Sequence, residues 1–253
     1  MTQQIWNSER DGVLNGVPFR FSGGPYDDLH TTADEIIVLK TKHFFDERAG
    51  LGEGVKRIVE LGVFEGGSLL LFADRFPEAT IVGIDWAPGN PAIAEHVKAM
   101  GFEDRVHIHF GVSQDDTRRI PEILSQAFGD EPIDVVIDDA SHMYGFTTRS
   151  FDLLWPRLRV GGRYVIEDWG WAYWSDFVPP EQWLEEPKPL AAMIHELLAA
   201  AAAFPGRLVF EQVHHAQAVI RKRGALPPFE ELARAAQAYA LPVLGVPTAS
   251  PDT

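Results

Sequence analysis

The sequence predicts an α/β fold built on a mostly parallel sheet with helices on both faces. Strand-like and helix-like runs alternate from residue 55 to residue 167, which is the pattern of successive βα units. The strand-like runs are nearly unbroken apolar stretches, as expected for strands covered on both sides. Two of these runs, at 133–138 and 162–167, lead into paired carboxylates.

The elements follow in order. Residues 1–30 carry Gly, Asp and Pro and read as irregular. Thr31-Thr-Ala-Asp34 reads as a helix start, with a hydroxyl cap and an acid in the first turn, and predicts a helix to about Glu47. A strand at 55–62 closes on Gly62 and passes into a helix from about Ser68 to Arg75. Three more units follow: strand 80–85 with helix 91–100, strand 106–110 with helix 117–128, and strand 133–138 with helix 145–158. The fifth strand covers 162–167. An aromatic, proline-containing stretch then runs from Trp169 to Trp183, and an Ala/Leu helix occupies about 190–203. Residues 208–214 and 216–222 read as two closing strands, and about 229–240 as a C-terminal helix before a tail. No internal repeat and no second core is evident. The chain thus divides into an N-terminal segment 1–50, a main domain 51–225 and a C-terminal helix and tail 226–253.

Composition excludes several classes of function. The 253 residues fit one large domain, and 45% of them are hydrophobic, enough for a sizeable core. A formal charge of −15 argues against nucleic acid and anionic membrane surfaces as partners. With no cysteine, disulfides, thiolate zinc sites and thiol nucleophiles are ruled out. The first ten residues lack the basic and apolar regions of a signal peptide. The apolar tract at 197–204 is far shorter than the roughly 20 residues a bilayer requires. The expectation is a soluble cytoplasmic protein.

The chemistry concentrates in Asp134-Val-Val-Ile-Asp-Asp-Ala-Ser-His142 and Arg163-Tyr-Val-Ile-Glu-Asp168. Asp139, Glu167 and Asp168 offer three hard oxygen ligands, which suit Mg²⁺ or a similar divalent ion. His142 lies three residues past the first acid pair, near enough in sequence to act as a base beside that ion. Adjacent strand residues point to opposite faces, so Asp138 and Asp139 need not serve one ligand. His107, His109, His214 and His215 lack carboxylate clusters and read as structural.

Glu60-Leu-Gly-Val-Phe-Glu-Gly-Gly-Ser68 joins the first strand to its helix. Its glycines let the backbone pass close beneath a ligand, and Asp85 ends the next strand, where an acid accepts hydrogen bonds from ribose hydroxyls. A dinucleotide fingerprint would need Gly-x-Gly-x-x-Gly, but position 64 is Phe. Glu65 also puts a carboxylate where a pyrophosphate would sit. A ligand with a free amino group and a sulfonium suits the loop better.

Glu60-x-Gly62-x-x-x-Gly66 followed by Asp85, together with Leu158-x-x-Gly-Gly-x-Tyr-Val-Ile166, resembles class I S-adenosylmethionine (SAM) methyltransferases over about residues 55–225. The resemblance implies a Rossmann-like, seven-stranded fold in which SAM is bound around Glu60, Gly62, Glu65, Gly66 and Ser68, with Asp85 and Trp86 at the ribose. Gln114 and Asp115 would lie near the adenine, and Asp138 would face the SAM side. Ile137-Asp-Asp-Ala-Ser-His142 and Tyr164-Val-Ile-Glu-Asp-Trp169 are similar to a narrower group, the metal-dependent sugar O-methyltransferases of macrolide biosynthesis, with Ala140 in place of a glycine. That similarity implies Asp139, Glu167 and Asp168 as metal ligands and His142 as general base. Trp169, Trp171, Tyr173 and Trp174 would then wall the acceptor pocket, since aromatic faces pack well on sugars and polyketide rings. The implied acceptor is a small glycosylated metabolite. The same machinery on a phenolic or β-lactam-type hydroxyl, or SAM binding without chemistry, are the competing readings. Longer relatives carry a large N-terminal domain; residues 1–50 are expected to supply a helical lid instead, and self-association through them or through the C-terminal helix is expected.

Overall fold

The computed structural model describes residues 4–6, 11–21, 29–40 and 54–235. Two compact units are formed, Met1–Ala140 and Ser141–Thr253.

The first unit begins with a small sheet absent from the sequence-based expectation. Strands β1 (Gln4–Trp6), β2 (Asp11–Leu14), β3 (Val17–Phe21) and β4 (Ile36–Val38) lie side by side in that order. The first three are antiparallel and β4 runs parallel to β3. Residues 1–30 are therefore not wholly irregular. Asn15-Gly16, with φ of 50° and 85°, forms the turn between β2 and β3, and Asn-Gly is a strong hairpin signal. The helix expected from Asp34 is also corrected, because Ile36–Val38 is a strand. Its capping signal is real: Thr32 Oγ1 accepts hydrogen bonds from the backbone N–H groups of Asp34 and Glu35. The next three residues are β-branched and fully buried, and that preference takes the chain into the sheet instead. Residues 41–47 of the expected helix lie outside the described residues, so among the described residues the N-terminal segment supplies strands and no helical lid.

The rest of this unit matches the predicted alternation. β5 (Arg57–Leu61), α1 (Gly67–Arg75), β6 (Thr80–Asp85), α2 (Pro91–Ala99), β7 (Val106–Phe110), α3 (Arg119–Phe128) and β8 (Ile133–Asp138) follow one another. The strands are parallel in the order β8-β5-β6-β7. β8 is buried at all six positions, and β5 and β6 at all but their first, which is why they read as continuous apolar runs. Two ends are tied by side chains. Asn90 caps α2 by accepting from Ala92 N, ahead of a proline at the first helical position. Asp134 Oδ2 accepts from the N–H groups of Lys56 and Arg57, fixing the start of β5 against β8.

The second unit holds α4 (Tyr144–Leu154), β9 (Leu158–Glu167), a 3₁₀ turn (Trp171–Tyr173), a short helix α5 (Glu181–Leu184), α6 (Ala191–Ala203), β10 (Leu208–His214) and β11 (Gln217–Lys222). Its strands are antiparallel in the order β10-β11-β9. The fold is the mostly parallel seven-stranded one that the sequence predicts. Residues 229–235 are helical, and the remainder of the expected C-terminal helix lies outside the described residues. No helix among the described residues is long and apolar enough to cross a membrane.

One buried cation holds the second unit's core. Lys222 Nζ donates to the carbonyl oxygens of Trp155, Pro156 and Leu158 at 2.6, 3.2 and 2.7 Å, capping the end of α4. Burial pushes its pKa down. Lys222→Met leaves these carbonyls without their donor, and the expected loss is about 2–4 kcal/mol of stability, read as a lowered midpoint in urea unfolding.

Candidate active site

The predicted site residues fall in both units. In the first, the β5–α1 loop has an unusual backbone: φ is 83° at Gly62, 49° at Phe64 and 79° at Gly66. A Cβ on Gly62 would lie 2.0 Å from the carbonyl oxygen of Asp139, so only glycine fits where the loop crosses the end of β8. Asp85 shapes this loop. Its Oδ2 accepts from Val63 N and Phe64 N, both at 2.8 Å, and its Oδ1 from Ala87 N at 2.8 Å. Its neighbour Trp86 is 79% exposed, a free indole face beside the strand end.

Glu60 lies beneath the loop, fully buried. Its Oε2 accepts from the Ser68 hydroxyl at 2.7 Å, while Oε1 is 3.3 Å from Lys40 Nζ and has no hydrogen bond. Burial pushes the carboxyl pKa up, and Lys40 and Ser68 pull against that shift. Glu65 is bound from the N-terminal side: Thr31 N donates to Oε2 at 2.7 Å, Asn90 Nδ2 donates to the same oxygen, and Oε1 pairs with His30 Nδ1 at 3.0 Å. After β7, Ser113 donates to Asp115, and Gln114 Nε2 donates to Asp138 Oδ1 at 3.2 Å. The loop after β7 therefore meets the end of β8.

The two acids at the end of β8 separate as their adjacency predicts. Asp138 ends the strand, buried, against Gln114. Asp139 donates its N–H to Leu61 O at 2.9 Å, and its carboxylate Oδ2 accepts from Lys40 Nζ at 2.6 Å. Lys40 is itself buried. Sequence reasoning missed it because it fell within the predicted helix. The available signal was a lysine directly after an apolar β-branched run.

In the second unit, His142 and Asp168 come together, with Nε2 and Oδ2 4.0 Å apart. Both have positive φ, 55° and 50°. Only four non-glycine residues among those described have positive φ; Asn15 is in a hairpin turn, and the other three, Phe64, His142 and Asp168, lie in the predicted motifs. Such conformations cost on the order of 1–3 kcal/mol each and persist where the surroundings enforce them. Here they do. Trp171 is 5% exposed, and its indole N–H donates to His142 O at 3.1 Å. Trp183, to which sequence reasoning assigned no role, packs edge-on against the His142 ring at 5.2 Å and against Trp171 at 5.0 Å. Asp168 donates its N–H to Ala216 O in the β10–β11 turn, and Trp169 Nε1 donates to His214 O at 2.8 Å. Glu167 is half-buried on β9, opposite Gln217.

The four predicted aromatic wall residues divide. Trp171 points inward and holds His142, whereas Tyr173 is 66% exposed. Trp169 and Trp174 are half-buried and reach the carbonyls of His214 and His215.

The donor chemistry fits two groups. Around the first unit's loop, Glu60, Glu65, Asp85 and Asp138 present carboxylates, with Lys40 beside Glu60 and His30 beside Glu65. That set suits a ligand bearing an ammonium and a sulfonium and repels a pyrophosphate. Asp139, Glu167 and Asp168 supply hard oxygens, and His142 a nitrogen, the donor types of a divalent cation site.

Comparison with known proteins agrees. A family model described as a methyltransferase domain matches residues 59–169. The tetracenomycin-C 3'-O-methyltransferase of Streptomyces olivaceus that acts on an 8-(2-methoxy-α-L-rhamnosyl) compound is 36% identical over 124 residues, 46% of this chain and 28% of its own. The mycinamicin VI 2''-O-methyltransferase of Micromonospora griseorubida is 32% identical over 143 residues, 54% of this chain and 32% of its own. Thus the match spans about a third of the length of these curated relatives. Among solved structures, the MycE methyltransferase of the mycinamycin pathway, in complex with Mg and SAH, aligns at a TM-score of 0.52 and 27% identity, covering 74% of this chain and 51% of that one. A caffeoyl-CoA O-methyltransferase-like structure from Staphylococcus aureus, at 18% identity and a TM-score of 0.51, shares the fold. Residues 59–169 of this chain therefore match a methyltransferase domain, the chain carries the class I methyltransferase fold, and over about half its length it is similar to sugar O-methyltransferases of macrolide and tetracenomycin biosynthesis.

Proposed function

We propose that this protein is a SAM- and divalent-metal-dependent O-methyltransferase acting on a hydroxyl of a sugar, a deoxysugar in particular, carried by a small secondary metabolite. The observation that carries the reading is the enforced left-handed pair, His142 and Asp168, with their side chains 4.0 Å apart. Strain held at two ionisable residues is characteristic of working sites. Asp139, His142 and Asp168 have the donor chemistry to hold an ion, and Glu167, adjacent to Asp168, completes the proposed oxygen ligands Asp139, Glu167 and Asp168. Further support comes from what the relatives act on by name, a rhamnosylated tetracenomycin and mycinamicin VI.

The division of labour follows from the residues. A divalent ion held by Asp139, Glu167 and Asp168 would supply the Lewis-acid charge that makes an acceptor hydroxyl easier to deprotonate. His142 then takes the hydroxyl proton while the acceptor oxygen forms its bond to the methyl carbon and the carbon–sulfur bond breaks. Trp183 packs against the imidazole and Trp171 holds the His142 backbone carbonyl, and the side chain of His142 is only 14% exposed. Glu60, Gly62, Glu65, Gly66, Ser68, Asp85, Trp86, Gln114, Asp115 and Asp138 form the proposed SAM site, with its carboxylates matching the positive charge of the cofactor. Trp169, Tyr173 and Trp174 are the proposed acceptor-facing aromatics.

The test is methyl transfer from labelled SAM, with Mg²⁺, to paired glycosides and aglycones of aromatic polyketides and macrolides. Label is expected on the sugar of the glycosides. Label on aglycone hydroxyls alone contradicts the assigned acceptor class.

A further inference from the structure

Lys40 is a site component contributed by the segment that follows β4. It is buried, and places its ammonium 2.6 Å from Asp139 Oδ2 and 3.3 Å from Glu60 Oε1. A buried cation is costly unless paired, and here two carboxylates pair it. One of them, Glu60, belongs to the glycine-loop motif. The other, Asp139, is a proposed metal ligand. A carboxylate has a limited set of lone pairs, and a charge-assisted bond at 2.6 Å is a strong claim on one of its oxygens. A divalent ion and an ammonium also repel each other at short range in a low-dielectric site.

We infer that Lys40 is a built-in counter-ion that competes with the divalent cation for Asp139 and so keeps metal affinity low and exchange fast. The inference rests on the proposed metal reading and adds a residue that sets the affinity of that site. In the absence of the ion, Lys40 lies between Asp139 and Glu60 and offsets one of their two negative charges, which weakens the repulsion between them. Metal binding must displace or weaken the Lys40–Asp139 bond. Its strength is thus subtracted from the binding free energy of the ion. The same lysine contacts Glu60 under the cofactor loop, so its release on metal binding alters the charge felt at that loop as well.

The experiment is calorimetric and paramagnetic-resonance titration of the whole chain with Mn²⁺, without SAM or acceptor. Lys40→Met removes the competing charge and is expected to tighten Mn²⁺ binding by about tenfold or more, since tenfold is only about 1.4 kcal/mol. Lys40→Arg keeps the charge and is expected to stay within about threefold of the parent. Lys40→Met also leaves Glu60 buried without its cation, so the double variant Lys40→Met/Glu60→Gln is measured alongside, with the same tightening expected. Binding that is unchanged or weaker in folded Lys40→Met and in the double variant overturns the inference. Asp139→Asn separates the two readings. If it binds Mn²⁺ as the parent does, the metal reading itself fails. If it loses Mn²⁺ while the Lys40 variants show no tightening, only the role given to Lys40 fails. A purely packing role for Lys40 would lower the melting temperature and leave Mn²⁺ affinity unmoved.

Discussion

His142→Ala is expected to reduce turnover by a factor on the order of 10²–10⁴ while SAM affinity stays near that of the parent. The magnitude is that of a positioned general base. The selectivity follows from where His142 sits. It belongs to the second unit, with its carbonyl bonded to Trp171 and its ring against Trp183. The proposed cofactor residues belong to the first unit's loop, which is closed by its own bonds from Asp85 to Val63 and Phe64. Removing the imidazole also relieves little packing, because the Trp171–Trp183 contact remains. Steady-state turnover with calorimetry for SAM checks both halves of the statement. A variant that loses SAM binding in parallel with turnover would assign His142 to the cofactor and not to the proton.

Asp168→Asn is expected to weaken Mn²⁺ or Mg²⁺ binding by about tenfold or more and to lower turnover at least in proportion. Asparagine is chosen because it tolerates the left-handed φ of 50° that this position requires. The N–H bond to Ala216 O and the neighbouring Trp169 bond to His214 O are both retained, so the backbone is expected to stay in place. What changes is one negative charge and its ligand oxygen. Excess EDTA is expected to abolish turnover of the parent, and added Mg²⁺ to restore it. Full activity in EDTA would remove the metal from the account.

These expectations rest on residues of unequal visibility in the sequence. The parallel strands were legible to within a few residues, because burial on both faces writes itself as an apolar run: the predicted and observed strands coincide at 80–85, 106–110 and 133–138. The motif acids were legible because they sit where those runs stop. The N-terminal sheet was not. Its strands are three to five residues long, and the cap-like Thr32 turn imitated a helix start while Ile36–Val38 obeyed its β preference. Lys40 was hidden by that misreading. The roles of Trp171 and Trp183 were hidden for another reason. An aromatic residue's partner is set by tertiary packing, so nothing in the local pattern tells an exposed residue such as Tyr173 from one that clamps His142.

Crystals of the chain grown with Mn²⁺ and S-adenosylhomocysteine, examined by anomalous diffraction, give the most direct measurement. One anomalous peak is expected within about 2.0–2.3 Å of carboxylate oxygens from Asp139, Glu167 and Asp168, with the His142 imidazole facing the acceptor side of the ion. A peak elsewhere, or none at Mn²⁺ concentrations that support turnover, would contradict the metal assignment.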